Sequence, residues 1–197
     1  MSLRPDLAAV ADAVPPGARV LDVGCGDGAL LAYLRDRKGV DARGIDVLAG
    51  NVASAVARGL SVVQGDADAD LGDYPDGAFD MVILSDTLQA MRAPAAVLGE
   101  LVRIGRRGIV SFPNFGHWRV RASVVFGGRM PVTATLPVSW HQTPNIHLCT
   151  IDDFRELVTD LGLRIESATF LSGGRRRNGN LANLMAEQAV FVLGRGV

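Results

Sequence analysis

Residues 20–28 read Val-Leu-Asp-Val-Gly-Cys-Gly-Asp-Gly, an apolar run with an acid near its end that passes directly into glycines on three alternate positions. This stretch restricts the chain more than any other. An extended apolar segment must reverse into the next element within a few residues, and Gly24, Gly26 and Gly28 make that turn possible because glycine tolerates positive φ. Without Cβ atoms, the turn leaves its amides open to a ligand lying on them at the start of a helix. A dinucleotide fingerprint places its third glycine three residues after the second. Here Gly28 follows Gly26 by two, which argues against a nicotinamide-dependent dehydrogenase. Cys25, inside the turn with no basic neighbour in sequence, reads as a small filler rather than a nucleophile.

Beyond this turn, short β-branched runs alternate with amphipathic stretches, the pattern of βαβ units and a parallel sheet. Strands are expected at 19–23, 42–46, 60–64, 79–84, 108–112, 164–170 and 189–193, with helices at 28–37, 50–58, 94–103 and 152–161. The fold class predicted is α/β, a doubly wound, mostly parallel seven-stranded sheet. Thr150 can cap the last helix, Asp152 and Asp153 suit its first turn, and Gly162 can end it. A chain of 197 residues with 48% apolar content suits a single domain over 1–197. The net charge of −1 gives no attraction to nucleic acid or an anionic membrane. With two cysteines, no signal-peptide pattern and no long apolar run, a reduced cytoplasm is the expected home. Arginine greatly outnumbers lysine, of which Lys38 is the single copy, a composition that suggests a GC-rich bacterial genome.

Ligands of open parallel sheets bind beyond the carboxyl ends of the strands. Three acids fall there. Asp46, 24 residues after Asp22, can accept both hydroxyls of a ribose. Asp66, followed by Ala67, can read the amino edge of an adenine, while Ser85 and Asp86 follow the fourth strand near the reacting end of a ligand. Asp66 and Asp86 can equally serve as turn or capping residues, since Asp favours both.

The connection from Ser111 to Thr150 holds all three histidines and both tryptophans. Structureless loops longer than about 12–15 residues are uncommon in compact domains and are usually functional or disordered. The aromatic content argues against disorder, so an insertion at about 113–150 is expected to fold over something. Only about 18 residues precede the first strand, too few for a helical N-terminal cap, so the insertion should supply any lid. His117 and His141 are candidate bases, since histidine titrates near neutrality. His147 joins them by the same reasoning, and equally all three can simply bond loop backbone while Trp118 and Trp140 fill space over the sheet. No histidine pair has i, i+4 spacing, so no metal site is expected. Arg175, Arg176 and Arg177 read as a solvated hairpin tip.

The glycine turn with its preceding acid resembles the first motif of class I S-adenosylmethionine-dependent methyltransferases. Three longer segments are more specific: Val110-Ser111-Phe112-Pro113-Asn114-Phe115-Gly116-His117-Trp118, Gly128-Arg129-Met130-Pro131-Val132-Thr133, and Trp140-His141-Gln142-Thr143-Pro144-Asn145-Ile146-His147-Leu148-Cys149-Thr150. On these, the chain resembles the MetW family of methionine biosynthesis proteins from Val20 to about Val192. The resemblance implies a Rossmann-like methyltransferase fold and S-adenosylmethionine or S-adenosylhomocysteine bound at Asp22, Gly24, Cys25, Gly26, Asp46, Val47, Asp66, Ala67 and Ser85. It also implies action beside homoserine O-acyltransferase, with Asn114, His117, Trp118, Trp140, His141, Asn145 and His147 facing a substrate or that partner. Where family members often carry Tyr-Asp after the tryptophan, this chain has His141-Gln142. Two functional classes follow: an accessory protein of the acyltransferase, and a free-standing methyltransferase acting on a small metabolite.

Overall fold

The computed structural model describes residues 3–196; Met1, Ser2 and Val197 of the expected 1–197 span lie outside the described residues. Five strands run parallel: β1 (Arg19–Val23), β2 (Asp41–Asp46), β3 (Ser61–Gln64), β4 (Phe79–Ser85) and β5 (Gly105–Pro113). The remaining three, β6 (Leu163–Ser172), β7 (Arg175–Arg177) and β8 (Gln188–Arg195), are antiparallel to their neighbours. The sheet order is β3-β2-β1-β4-β5-β8-β6-β7. The chain therefore starts in the middle, builds outward through β2 and β3, and returns to the other side of β1 with β4. That reversal opens a crevice at the carboxyl ends of β1 and β4. The expected seven strands are all present. The eighth is β7, where the arginine run pairs Arg175–Arg177 with Ser172–Phe170 instead of forming only a loop tip. Its side chains stay exposed, as suits an edge strand blunted by charge.

Alternation along the central strands divides the core. Leu21, Val23, Val82, Leu84, Val110 and Phe112 face α5 (Pro94–Ile104) and α7 (Ile151–Asp160). Val20, Met81, Ile83 and Ile109 face the opposite layer, formed by α1 (Pro5–Ala13) and α2 (Ala29–Lys38). Strands covered on both faces read as continuous apolar runs, which is why β1 and β4 were legible as such. Helix α1 occupies the leading segment, where the sequence pattern predicts no helix. It starts at Pro5, whose fixed φ suits a first turn, and buries Ala9 and Val10 against the sheet. Among the described residues, no helix is long and apolar enough to cross a membrane.

Thr150 caps α7 through a reciprocal capping box with Asp153, as its sequence suggested. Phe154 from that helix lies 4.8 Å from both Phe112 and Phe191, ring centroid to centroid, and is fully buried. Phe154→Ala should therefore destabilise the fold by about 3–5 kcal/mol, the range for a buried Phe-to-Ala cavity, read as a lowered urea midpoint. A loss below about 1 kcal/mol would show that α7 is not pinned by this aromatic cluster.

Candidate functional site

The glycine turn is held from β2. Gly24 and Cys25 donate their amides to the Ile45 carbonyl, at 2.8 and 3.2 Å, and Gly26 donates to Asp46 Oδ2 at 2.8 Å. Asp46 Oδ1 accepts from the Leu48 amide at 2.9 Å and Asn51 Nδ2 at 3.0 Å, just before and within α3 (Ala49–Ala57). All three glycines adopt positive φ, yet their surroundings differ. A Cβ at Gly24 would strike the Thr87 side chain, and one at Gly28 would strike Leu60 and Ala55. At Gly26 the same direction is open. The first and third glycines thus serve close packing, and the middle one faces free space.

That space belongs to a cavity of about 530 Å³ lined by Asp22, Gly24, Gly26, Leu30, Tyr33 and Ser85 among others. Asp22 is buried, and its Oδ1 finds no hydrogen-bond partner among the described residues. Burial first, and the neighbouring Asp46 second, push its pKa up to about 7. Strand alternation explains its aim: Asp22 shares the face of Val20, and on the same face Ser85 and Ser111 stand paired in register with hydroxyls 2.8 Å apart. Ser111, buried at this edge, was not singled out from the sequence because it reads as one more residue of an apolar strand. Cys25 is buried and its thiol is pushed up to about 12, mainly by burial, so it remains an inert filler.

The other wall comes from the amino-terminal segment. Leu3, Arg4 and Leu7 line the cavity, and no residue of the 113–150 insertion does. The expected lid from the insertion is therefore replaced by the start of α1. Arg4 Nη2 reaches Asp6 at 2.8 Å and Asp86 at 2.9 Å. Asp86 holds a left-handed φ of 54°, leaves Oδ1 unpartnered among the described residues, and has its pKa pushed up to about 6 by burial and then by Asp6. A non-glycine residue in this conformation carries strain of the kind found at functional sites.

Several expected site residues, Asp46, Val47, Asp66 and Ala67 among them, do not line this cavity. Asp66 caps the short helix α4 (Ala67–Asp70) and pairs with Arg92, the capping alternative its sequence left open, while Ala67 begins that helix. Val47 is exposed beside Asp46, together with Leu48. Asn114 donates to the Asn183 and Ala186 carbonyls and accepts from the Gly116 and Ile151 amides. Both donors and both acceptor positions engage the chain, so Asn114 clamps the scaffold. His117 is buried and caps α6 (Trp118–Gly127), while His141 and His147 are exposed. None of the three lines the cavity. Trp118 and Trp140 are 46% and 74% exposed, so neither is packed over the sheet. The insertion is anchored by Gln89, which sequence reading missed: its carbonyl accepts from the Ile146 and His147 amides, and its side chain meets Asn145 and Cys149. Among the described residues, no three His, Cys, Asp or Glu side chains gather as metal ligands.

The sheet order and the glycine-lined crevice define a class I methyltransferase-like protein. Solved structures of this fold include an S-adenosylmethionine-dependent methyltransferase from Mesorhizobium loti, with a TM-score of 0.73 at 16% identity covering 97% of this chain and 98% of that one. The cyclase SpnF is also similar, with a TM-score of 0.68 at 20% identity covering 98% and 80%. The model of the family "Methionine biosynthesis protein MetW" matches residues 4–193, and the chain belongs to that family. It is 35% identical over 207 aligned residues to the bifunctional methionine biosynthesis protein MetXA/MetW of Rhodopirellula baltica, matching 99% of this chain and 33% of that protein. The chain thus spans about a third of that relative's length.

Asp22 makes stability depend on pH. Its carboxyl holds a proton up to about pH 7 when folded against 3.8 otherwise, so the folded state loses stability as pH rises from about 3.8 through 7. Asp22→Asn removes that loss. In urea unfolding at pH 8 the variant should exceed the native protein by roughly 1–4 kcal/mol, and the gap should close toward pH 4. A gap that does not change with pH would show that Asp22 ionises freely in the fold.

Proposed function

We propose that this protein binds S-adenosylmethionine, or S-adenosylhomocysteine, in the cavity beneath the glycine turn and serves as an accessory protein of homoserine O-acyltransferase. The observation that carries the cofactor reading is Asp22 Oδ1, a buried carboxylate oxygen without a partner among the described residues, in a cavity of ligand size. An ammonium group supplies what that oxygen lacks, and burial strengthens the pairing. The open side of Gly26 leaves room for the aliphatic part of the ligand. Asp46 Oδ2 accepts only the Gly26 amide, so it keeps an acceptor position for a ribose hydroxyl. Val47 and Leu48 offer an exposed apolar surface to a purine ring. Arg4, held by Asp6 and Asp86 through Nη2, has further N–H groups for a carboxylate. When bound, the sulfonium form supplies an electrophilic methyl group.

Two observations favour the accessory role. In the Rhodopirellula relative, the matching third shares one chain with a part named MetXA. The insertion, moreover, exposes Phe126 at 88%, Val125 and Trp140, and no Asp or Glu occurs between Glu100 and Asp152. Apolar surface of that kind suits a protein partner. Fold likeness does not oppose this, because the fold is shared with a cyclase and does not dictate methyl transfer. The free-standing methyltransferase has one observation of its own: Asp86, after β4, has a carboxyl pushed up to about 6 and an unpartnered oxygen suited to take a proton near neutrality.

Isothermal titration should give saturable binding of S-adenosylhomocysteine to the native protein. Asp46→Ala should weaken it about ten- to a hundredfold, as for a lost charge-assisted hydrogen bond. Gly26→Val should abolish it, because the branches enter the open space and the residue must hold a φ of 56°. Full affinity in a folded Gly26→Val protein would place the ligand elsewhere.

The partner reading is tested by capture of purified homoserine O-acyltransferase. The native protein should retain it, and Trp140→Ala and Phe126→Asp should each weaken retention by about 2 kcal/mol or more, the scale of an interface hot spot. Failure of the native protein to retain the acyltransferase, with turnover of S-adenosylmethionine in a metabolite extract, would favour the free-standing enzyme.

A further inference from the structure

A second, smaller cavity lies apart from the first and shares none of its lining residues. Its volume is about 240 Å³, below the roughly 300–1,000 Å³ of pockets that hold drug-sized ligands, so a molecule of few atoms fits it. His117, Arg119 and Glu187 line it together with Val120, Val132 and Thr135.

His117 is 4% exposed. Its Nδ1 accepts the Arg119 amide at 3.4 Å as the cap of α6, a helix of ten residues. A nitrogen that accepts carries no proton, so the neutral ring has its N–H at Nε2. That Nε2 makes no hydrogen bond to any described residue, which leaves a donor free on a residue that lines the cavity. Burial, the first of its influences, lowers the His117 pKa and keeps the ring in this neutral form.

Across the same space, Arg119 Nη1 stands 3.5 Å from Glu187 Oε1. Glu187 is fixed from behind, because its Oε2 accepts the Gly173 amide at 2.8 Å. Arg119 is largely exposed, and an ion pair this open contributes little by itself. It can therefore exchange partners with a ligand at low cost. A cation, a neutral N–H donor and an anchored carboxylate around one space complement a molecule that carries both a carboxylate and an ammonium. Val120 and Val132 bound the rest of the space with apolar surface.

We infer that this cavity is a binding site for a free α-amino acid with an uncharged side chain, its carboxylate on Arg119 and His117 Nε2 and its ammonium on Glu187. The site goes beyond the cofactor reading and does not depend on it. In a member of a methionine biosynthesis family, L-methionine is a suitable probe of this class.

The test is isothermal titration of the native protein with L-methionine. Saturable binding is expected, with at least tenfold weaker binding of N-acetyl-L-methionine, which lacks the ammonium, and of 3-(methylthio)propylamine, which lacks the carboxylate. Arg119→Gln and Glu187→Gln, on exposed and rim positions, should each weaken L-methionine about tenfold with an unchanged circular dichroism spectrum. His117→Asn keeps a capping oxygen while deleting the Nε2 donor, and should weaken it similarly. Asp22→Asn, in the other cavity, should leave L-methionine affinity unchanged. The inference is overturned if L-methionine gives no heat at about 10 mM, or if Arg119→Gln and Glu187→Gln bind it as the native protein does. It is equally overturned if Asp22→Asn abolishes the binding, since the amino acid would then occupy the first cavity.

Discussion

The carboxylate of Asp46 holds two turns at once. Through Oδ2 it fixes Gly26 in the loop after β1, and through Oδ1 it fixes Leu48 and Asn51 at the start of α3. Hydrogen bonds to an ionised acceptor are about twice as strong as neutral ones, so this single side chain sets the relative position of the loops after two adjacent strands. Together with the Gly24 and Cys25 amides on the Ile45 carbonyl, this holds the path of the three positive-φ glycines, and α2 begins where that path ends. A ligand reaching these loops meets groups already in place, which lowers the entropy it must lose on binding.

Against this pre-organisation stands Asp22. Every other side chain on the inner part of β1 buries apolar atoms, whereas Asp22 brings a charge into the interior within reach of the field of Asp46. An uncompensated buried carboxylate destabilises the folded protein, and its rise to about pH 7 is the measure of that strain. The polar residues on this face gather at the strand ends, with Asp22 on β1 and, one step further along, Ser85 on β4 paired with Ser111 on β5. They interrupt the apolar packing of this face at the topological switch point. Such a local departure from an otherwise consistent core is where binding function is expected to reside.

Much of this was legible from the chain. The glycine turn, the five parallel strands and the Thr150 cap each have a local signal, in residue type or in period, and each appears within a residue or two of its expected bounds apart from the longer β5. What could not be read depends on tertiary neighbours. Helix α6 runs Trp-Arg-Val-Arg-Ala-Ser-Val-Val-Phe-Gly, rich in residues of modest helix propensity, and buries only Val120, so it shows no apolar stripe. Helix α1, nine residues long, is similarly weak in local signal, and its place is set by burying Ala9 and Val10 against the sheet. The roles of Asp66 and Asn114 were ambiguous for a different reason. Asp and Asn satisfy caps, turns and ligands with the same atoms, and only the identity of the donors, Asp68 and Arg92 in one case and the Gly116 and Ile151 amides in the other, separates these uses.

The same sheet topology accounts for polar chemistry appearing at two places on one edge. Parallel strands deliver only their carboxyl ends to the ligand-binding edge, and β1 to β5 follow that rule. Strand β8 runs the other way beside β5, with Pro113 opposite Gln188, so it delivers its amino end to the same edge. Glu187, entering β8, is thereby brought beside the chain leaving β5, and its carbonyl accepts the Asn114 amide at 2.9 Å. Asn114, bonded at each polar atom, then fixes the turn that presents His117 and Arg119 to the Glu187 side chain. Asn114, which also lines the smaller cavity, thus holds a carboxylate and a buried imidazole around one small space. The antiparallel reversal, which in the strand order is a simple exception to the parallel rule, is the physical reason those groups meet.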